Sequence, residues 1–200
     1  METIEFTFGD SALLTHEVCS KYNISNHAIR CKVLLKALQT FGYDVKHIPV
    51  QVLILNPYIT ERLLECNSTD ALNSLIAHKK GKAFNLGLGE EGKFEGYSVL
   101  IANNSEGAWL IDPTLSLVND LDSSLHFLPI GVKVDEKFGE DGSYTTKVFN
   151  DCTLIYTSRL DNVISLESPS EETVNLNLDT VANQIFECLS GISSIEAINI

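Results

Sequence analysis

The sequence predicts an α+β fold, with N-terminal helices packed on an antiparallel β-sheet. Three observations predict it. Apolar residues recur at helical spacing early in the chain, at Ile29, Val33, Leu34, Ala37, Leu38 and Phe41. Further on, β-branched and apolar runs follow one another: VKHIPVQVLILN, KAFNLGLG, EGYSVLIAN and GAWLIDPT. Strand and helix do not alternate throughout, as a doubly wound parallel sheet requires.

The elements are expected in this order. IEFTF alternates and reads as a short strand. Asp10 to Lys21 reads as a helix with Asp10 or Ser11 as its N-cap. Ser25 or Asn26 caps a second helix, HAIRCKVLLKALQTF, which Gly42 ends. VKHIPVQVLILN is a strand, and Pro57–Glu65 and Thr69–Lys79 are two short helices. EGYSVLIAN and GAWLIDPT flank NNSEG, whose turn chemistry makes them an antiparallel hairpin. HFLPIGVKV and TTKVFNDCTLIYTSR add two strands. Glu167 to Asn175 is a polar link, and Leu178 to Leu189 is a closing helix.

Length and composition point to a single domain over residues 1–200, with further strands at 116–165 and the closing helix at 176–191. The apolar fraction of 44% and the charged fraction of 20% are ordinary for a globular chain. No apolar run is long enough to cross a bilayer, and METIEFTFGDSALL lacks the pattern of a signal peptide. The expected location is therefore cytoplasmic. The five cysteines, Cys19, Cys31, Cys66, Cys152 and Cys188, form no CxxC pair and are expected as free thiols. The net charge of −13 disfavours nucleic-acid backbones and anionic membranes as partners. A cationic partner, or mimicry of nucleic acid, is compatible with it.

Three stretches carry a resemblance. They are NHAIRCKVLLKALQTFGYDV, EGYSVLIAN and AWLIDPT. Together they resemble the arylamine N-acetyltransferase and transglutaminase-like superfamily of cysteine enzymes over roughly residues 20–115, the stretch that the resemblance makes the triad-bearing core. The IPV and GLG stretches resemble those of a bacterial side branch of that superfamily. In those enzymes a cysteine opens a helix that ends in glycine, a histidine opens a strand, and an aspartate closes the next strand, often as Asp-Pro-Thr. The resemblance implies a Cys-His-Asp triad, a geometry with a clear physical sense. A helix N-terminus favours a thiolate, an imidazole takes the proton, and the carboxylate fixes the tautomer.

The register places other residues at two of these positions. Fifteen residues before Gly42 stands His27, and fifteen before Asp112 stands Tyr97. The triad-equivalent positions are thus His27, Tyr97 and Asp112. Ile24-Ser25-Asn26 stands where acetyltransferases often have Arg-Gly-Gly, which argues against acetyl-CoA chemistry.

Each residue also has a plainer expectation. Cys31 lies one helical turn after His27 and is a candidate displaced nucleophile, but a small buried apolar side chain is the favoured role. His27, at a helix start, is expected as a neutral imidazole. The phenol of Tyr97 does not replace histidine as a base near neutrality, and a bonded structural tyrosine is expected. Asp112 can accept local backbone bonds and shape the strand exit. His27, Tyr97 and Asp112 lack an evident fourth ligand, so no metal is expected, and no cofactor. LGLGEEGKFEG is expected as a turn or rim, because no Lys-Ser/Thr follows it. His16, His47, His78 and His126 stand alone and receive no role.

Three functions follow as expectations. The favoured one is a catalytically degenerate module that binds a small molecule or protein in the former cleft. The second is an acyl-transfer or amide-hydrolysis enzyme with a rearranged site using Cys31 or His27 with Asp112. The third is an acidic interaction protein, an inhibitor or a mimic of nucleic acid, acting through its charge.

Overall fold

The computed structural model describes residues 6–87, 96–122, 125–135, 137–138, 143–159 and 177–196, with side chains up to residue 191 in the last segment. The chain is α+β and divides into two compact units. The first comprises residues 1–48, 98–136 and 163–200, and the second 49–97 and 137–162. Residues 20–115, the stretch of the resemblance, fall partly in each unit.

In the first unit, α1 (Phe8–Lys21) starts earlier than Asp10. Its N-cap is Thr7, which accepts from the Asp10 amide at 3.1 Å while Asp10 bonds back to the Thr7 amide at 3.0 Å. This reciprocal pair is a capping box, and it makes Asp10 the third helical residue rather than the cap. Phe8 is therefore helical, against the expected IEFTF strand, whose first two residues lie outside the described residues.

Helix α2 (His27–Thr40) begins and ends as expected. Asn26 accepts from the Ile29 amide at 3.1 Å, and the chain leaves through Gly42 at φ +87°. The Gly42 and Tyr43 amides donate to the Gln39 and Leu38 carbonyls, the two bonds of a Schellman motif. The face carrying Ile29, Val33, Leu34, Ala37 and Leu38 is buried. Fully burying a side chain such as Leu34 or Leu38 contributes about 1.5–3 kcal/mol each. Helix α5 (Leu178–Glu196) extends beyond the expected Leu189 and packs against α1 and α2.

Strands β3 (Tyr97–Asn104) and β4 (Gly107–Asp112) form the expected hairpin, with Asn104 opposite Gly107. β5 (Ile130–Lys133) pairs antiparallel with β4. A 3-10 turn over Leu115–Asp120, not anticipated, leads away from β4. The long strand β1 (Asp44–Leu55) passes from the first unit into the second. In strand order the first unit reads β5-β4-β3-β1.

In the second unit, β1 pairs antiparallel with β2 (Ala83–Leu86) on one side and with β7 (Cys152–Ser158) on the other. β6 (Tyr144–Phe149) pairs with β7. TTKVFNDCTLIYTSR is thus a hairpin rather than one strand, and Asn150 and Asp151 turn it at φ 49° and 60°. Asn and Asp tolerate this left-handed region better than most residues. Pro57–Glu65 resolves into a one-turn helix, α3 (Pro57–Thr60), and a 3-10 turn over Leu63–Glu65. α4 (Thr69–Ala77) is capped by Ser68. The glycine-rich stretch after Gly87 and the polar link at 167–175 lie outside the described residues.

Candidate functional site

Cys31 sits one turn into α2 and is 0% exposed. Its sulfur donates to the Ser98 carbonyl at 3.4 Å, at the start of β3. Burial pushes the thiol far above its ordinary range, and the nearby charge of Asp112 pushes it further. The Ser98 bond pulls the other way but does not offset them. The sulfur is thus out of contact with solvent and its neutral form is favoured, whereas a cysteine nucleophile acts as a thiolate that can meet its substrate.

Asp112 closes β4 and is also 0% exposed. Its Oδ1 accepts from both the Thr114 amide and the Thr114 hydroxyl, each at 3.0 Å. The carboxylate therefore shapes the Asp-Pro-Thr exit by local bonds, as the sequence suggests. The Ser98 hydroxyl is buried and unpartnered, another polar group at this place.

His27 occupies the first position of α2 and is partly buried. It acts on a residue the sequence left without a role, His47 of β1. Desolvation lowers the His47 pKa to about 4, with smaller contributions from Lys32 and His27. His47 Nε2 is buried and has no hydrogen-bond partner. His47 is therefore neutral at physiological pH. A lone histidine in a strand carries no spacing signal, and only the fold reveals that α2 and β1 bring two imidazoles within electrostatic reach.

The structure thus brings Cys31, Ser98 and Asp112 together in the first unit, and His27, Lys32 and His47 together likewise. Tyr97, 8% exposed, opens β3 and belongs to the second unit. Among the described residues, no group of three or more His, Cys, Asp or Glu side chains is placed to hold a metal ion. No helix among them is long and apolar enough to cross a membrane.

A second polar cluster lies between α1 and α2. Arg30, 3% exposed, donates through Nε to the Ile24 carbonyl at 2.7 Å and through Nη1 to His16 Nδ1 at 2.8 Å. Arginine cannot accept, so His16 Nδ1 is the unprotonated nitrogen, and the Ser116 hydroxyl at 2.9 Å donates to it as well. Burial, then the Arg30 charge, lowers the His16 pKa. Cys19, 0% exposed, is pushed up to about 11 by burial despite Arg30.

Compared with protein-family models, curated proteins and solved structures, the chain matches none.

Proposed function

We propose that this chain is a binding or regulatory module built on a transglutaminase-like or acetyltransferase-like cysteine-enzyme arrangement that has lost its cysteine chemistry. The observation that carries this is the state of Cys31, 0% exposed with its thiol raised by burial. His27 stands at the helix start where such an enzyme needs its thiolate. Asp112, the one retained triad-type residue, has a structural role that its bonds to Thr114 explain.

The test is labelling of the native protein by iodoacetamide at pH 6 and pH 8, read by peptide mass spectrometry. Cys188, which is exposed, serves as the internal control. Cys31 should label at least about a hundredfold more slowly than Cys188 at both pH values, and normally once denatured. Rapid labelling of Cys31 at pH 6 would show an accessible thiolate and defeat the reading. So would turnover of simple ester, thioester or amide substrates that is abolished by His27→Gln.

A further inference from the structure

Away from Cys31 and Asp112, at the turn end of the β3–β4 hairpin, the first unit contains a cavity of about 120 Å³. Phe6, Phe8, Tyr43 and Trp109 line it together with Thr7, Asn104 and Glu106. The aromatic rings form a connected series. Phe6 and Tyr43 centroids are 6.0 Å apart, Phe8 and Tyr43 5.2 Å, and Phe8 and Trp109 5.7 Å, all at steep interplanar angles. The cavity is partly open to solvent, so a ligand can reach the rings from outside. A dry cavity of about 150 Å³ accepts benzene, so this one suits a group of four to six heavy atoms.

Its rings and its carboxylate suit a cation, while the buried Trp109 Nε1–H, which lacks a hydrogen-bond partner among the described residues, offers a donor to a ligand hydroxyl. Aromatic faces present negative potential, and tryptophan does so most strongly. Glu106 is the charged residue of the lining and stands exposed in the turn, which its amide bond to Asn104 Oδ1 at 2.9 Å helps to fix. A second carboxylate adjoins the lining, since Asp10 Oδ2 accepts from the Thr7 hydroxyl at 2.6 Å. The chain as a whole carries −13, which draws cations toward it. A primary ammonium holds its water strongly, whereas a methylated ammonium sheds it more readily and offers apolar surface to the rings. A charge of the opposite kind, Lys133 on β5, stands opposite Trp109 in the strand register. Its Cε lies 3.3 Å from where a Cβ on Gly107 would stand, and it does not line the cavity.

From this we infer that the cavity is a binding site for the methylated ammonium head of a small molecule. The site is separate from the Cys31 region and does not depend on the proposed loss of cysteine chemistry.

Trp109 is the single tryptophan of the chain, so its fluorescence reports the site directly. The protein is titrated at constant ionic strength with choline and, separately, with 3,3-dimethylbutan-1-ol, its neutral isostere. Isothermal calorimetry runs alongside as a second readout. Choline should give a saturable response, and the neutral isostere should bind about tenfold more weakly. Glu106→Gln, in an exposed turn, should weaken choline about threefold and leave the neutral isostere unchanged. Lys133→Met should strengthen choline. Equal binding of the two ligands would mean a merely apolar void and overturn the inference. Absence of saturable binding by both readouts would overturn it as well, as would a choline affinity indifferent to both substitutions.

Discussion

At the scale of single residues, His47 and His16 make stability depend on pH in a defined direction. Both have folded-state pKa values below the ordinary 6.5, His47 at about 4. As pH falls below 6.5 the unfolded chain takes up these protons first. Stability is therefore full above pH 6.5 and is lost as pH falls from 6.5 toward about 4. The loss from His47 is at most about 1.4 kcal/mol for each pH unit of that window. Protonating His16 Nδ1 would also turn an acceptor into a donor facing Arg30 and Ser116. Thermal midpoints measured from pH 7.5 to 4.5 should fall more steeply for the wild type than for His47→Leu, which keeps the apolar volume and has no proton to gain. The difference between the two curves separates His47 from the carboxylates, which both proteins share. Parallel curves would mean that folded His47 accepts its proton freely.

At the scale of elements, close backbone approach and turn conformation decide more than side-chain burial. Gly131 of β5 passes the start of α1 so closely that an added Cβ would lie 2.5 Å from Gly9 N and 2.5 Å from Phe8 C. These are backbone atoms held by the Thr7–Asp10 capping box, so they cannot move aside cheaply. Gly131→Ala should destabilise by about 1–3 kcal/mol in urea unfolding, the range of an overpacked core. A change under about 0.5 kcal/mol would show that β5 and α1 slide apart without cost. The β6–β7 turn gives the opposite sign. Asp151 sits at φ 60°, where glycine is unstrained, so Asp151→Gly should stabilise by several tenths to about 1 kcal/mol in the same assay. The same turn explains what was hard to read. α2 was legible because Asn26 and Gly42 punctuate its ends and its apolar stripe is regular. The β6–β7 hairpin was not, because Asn150-Asp151 interrupts an otherwise strand-like run without a glycine or proline to mark it. Asp112 was legible as a strand-exit anchor because its partner Thr114 is two residues away. His47 was not, because its neighbours His27 and Lys32 come from another element, and sequence distance carries no trace of that proximity.

At the scale of the whole molecule, charge is the unbalanced quantity. Twenty-seven acidic residues face fourteen basic ones. Among the described residues, the ion pairs Lys36–Asp179 and Arg62–Glu61 are exposed and contribute little. One cation, Arg30, is moreover spent in the interior on a carbonyl and an imidazole. The remaining excess of acid must be tolerated as repulsion within the folded chain, and an expanded unfolded chain relieves that repulsion. Salt should therefore stabilise the fold. Raising NaCl from about 20 mM to 300 mM shortens the screening length from about 20 Å to under 10 Å, the scale of separation between neighbouring surface charges. A gain of about 1–2 kcal/mol would raise the thermal midpoint by several degrees for a chain of this size. KCl should give the same curve as NaCl, because screening depends on valence and not on ion identity. A midpoint that stays flat would mean that the acids are already spaced widely enough to ignore one another. The charge would then be a solubility feature, and a salt-sensitive cationic partner would have little concentrated field to bind.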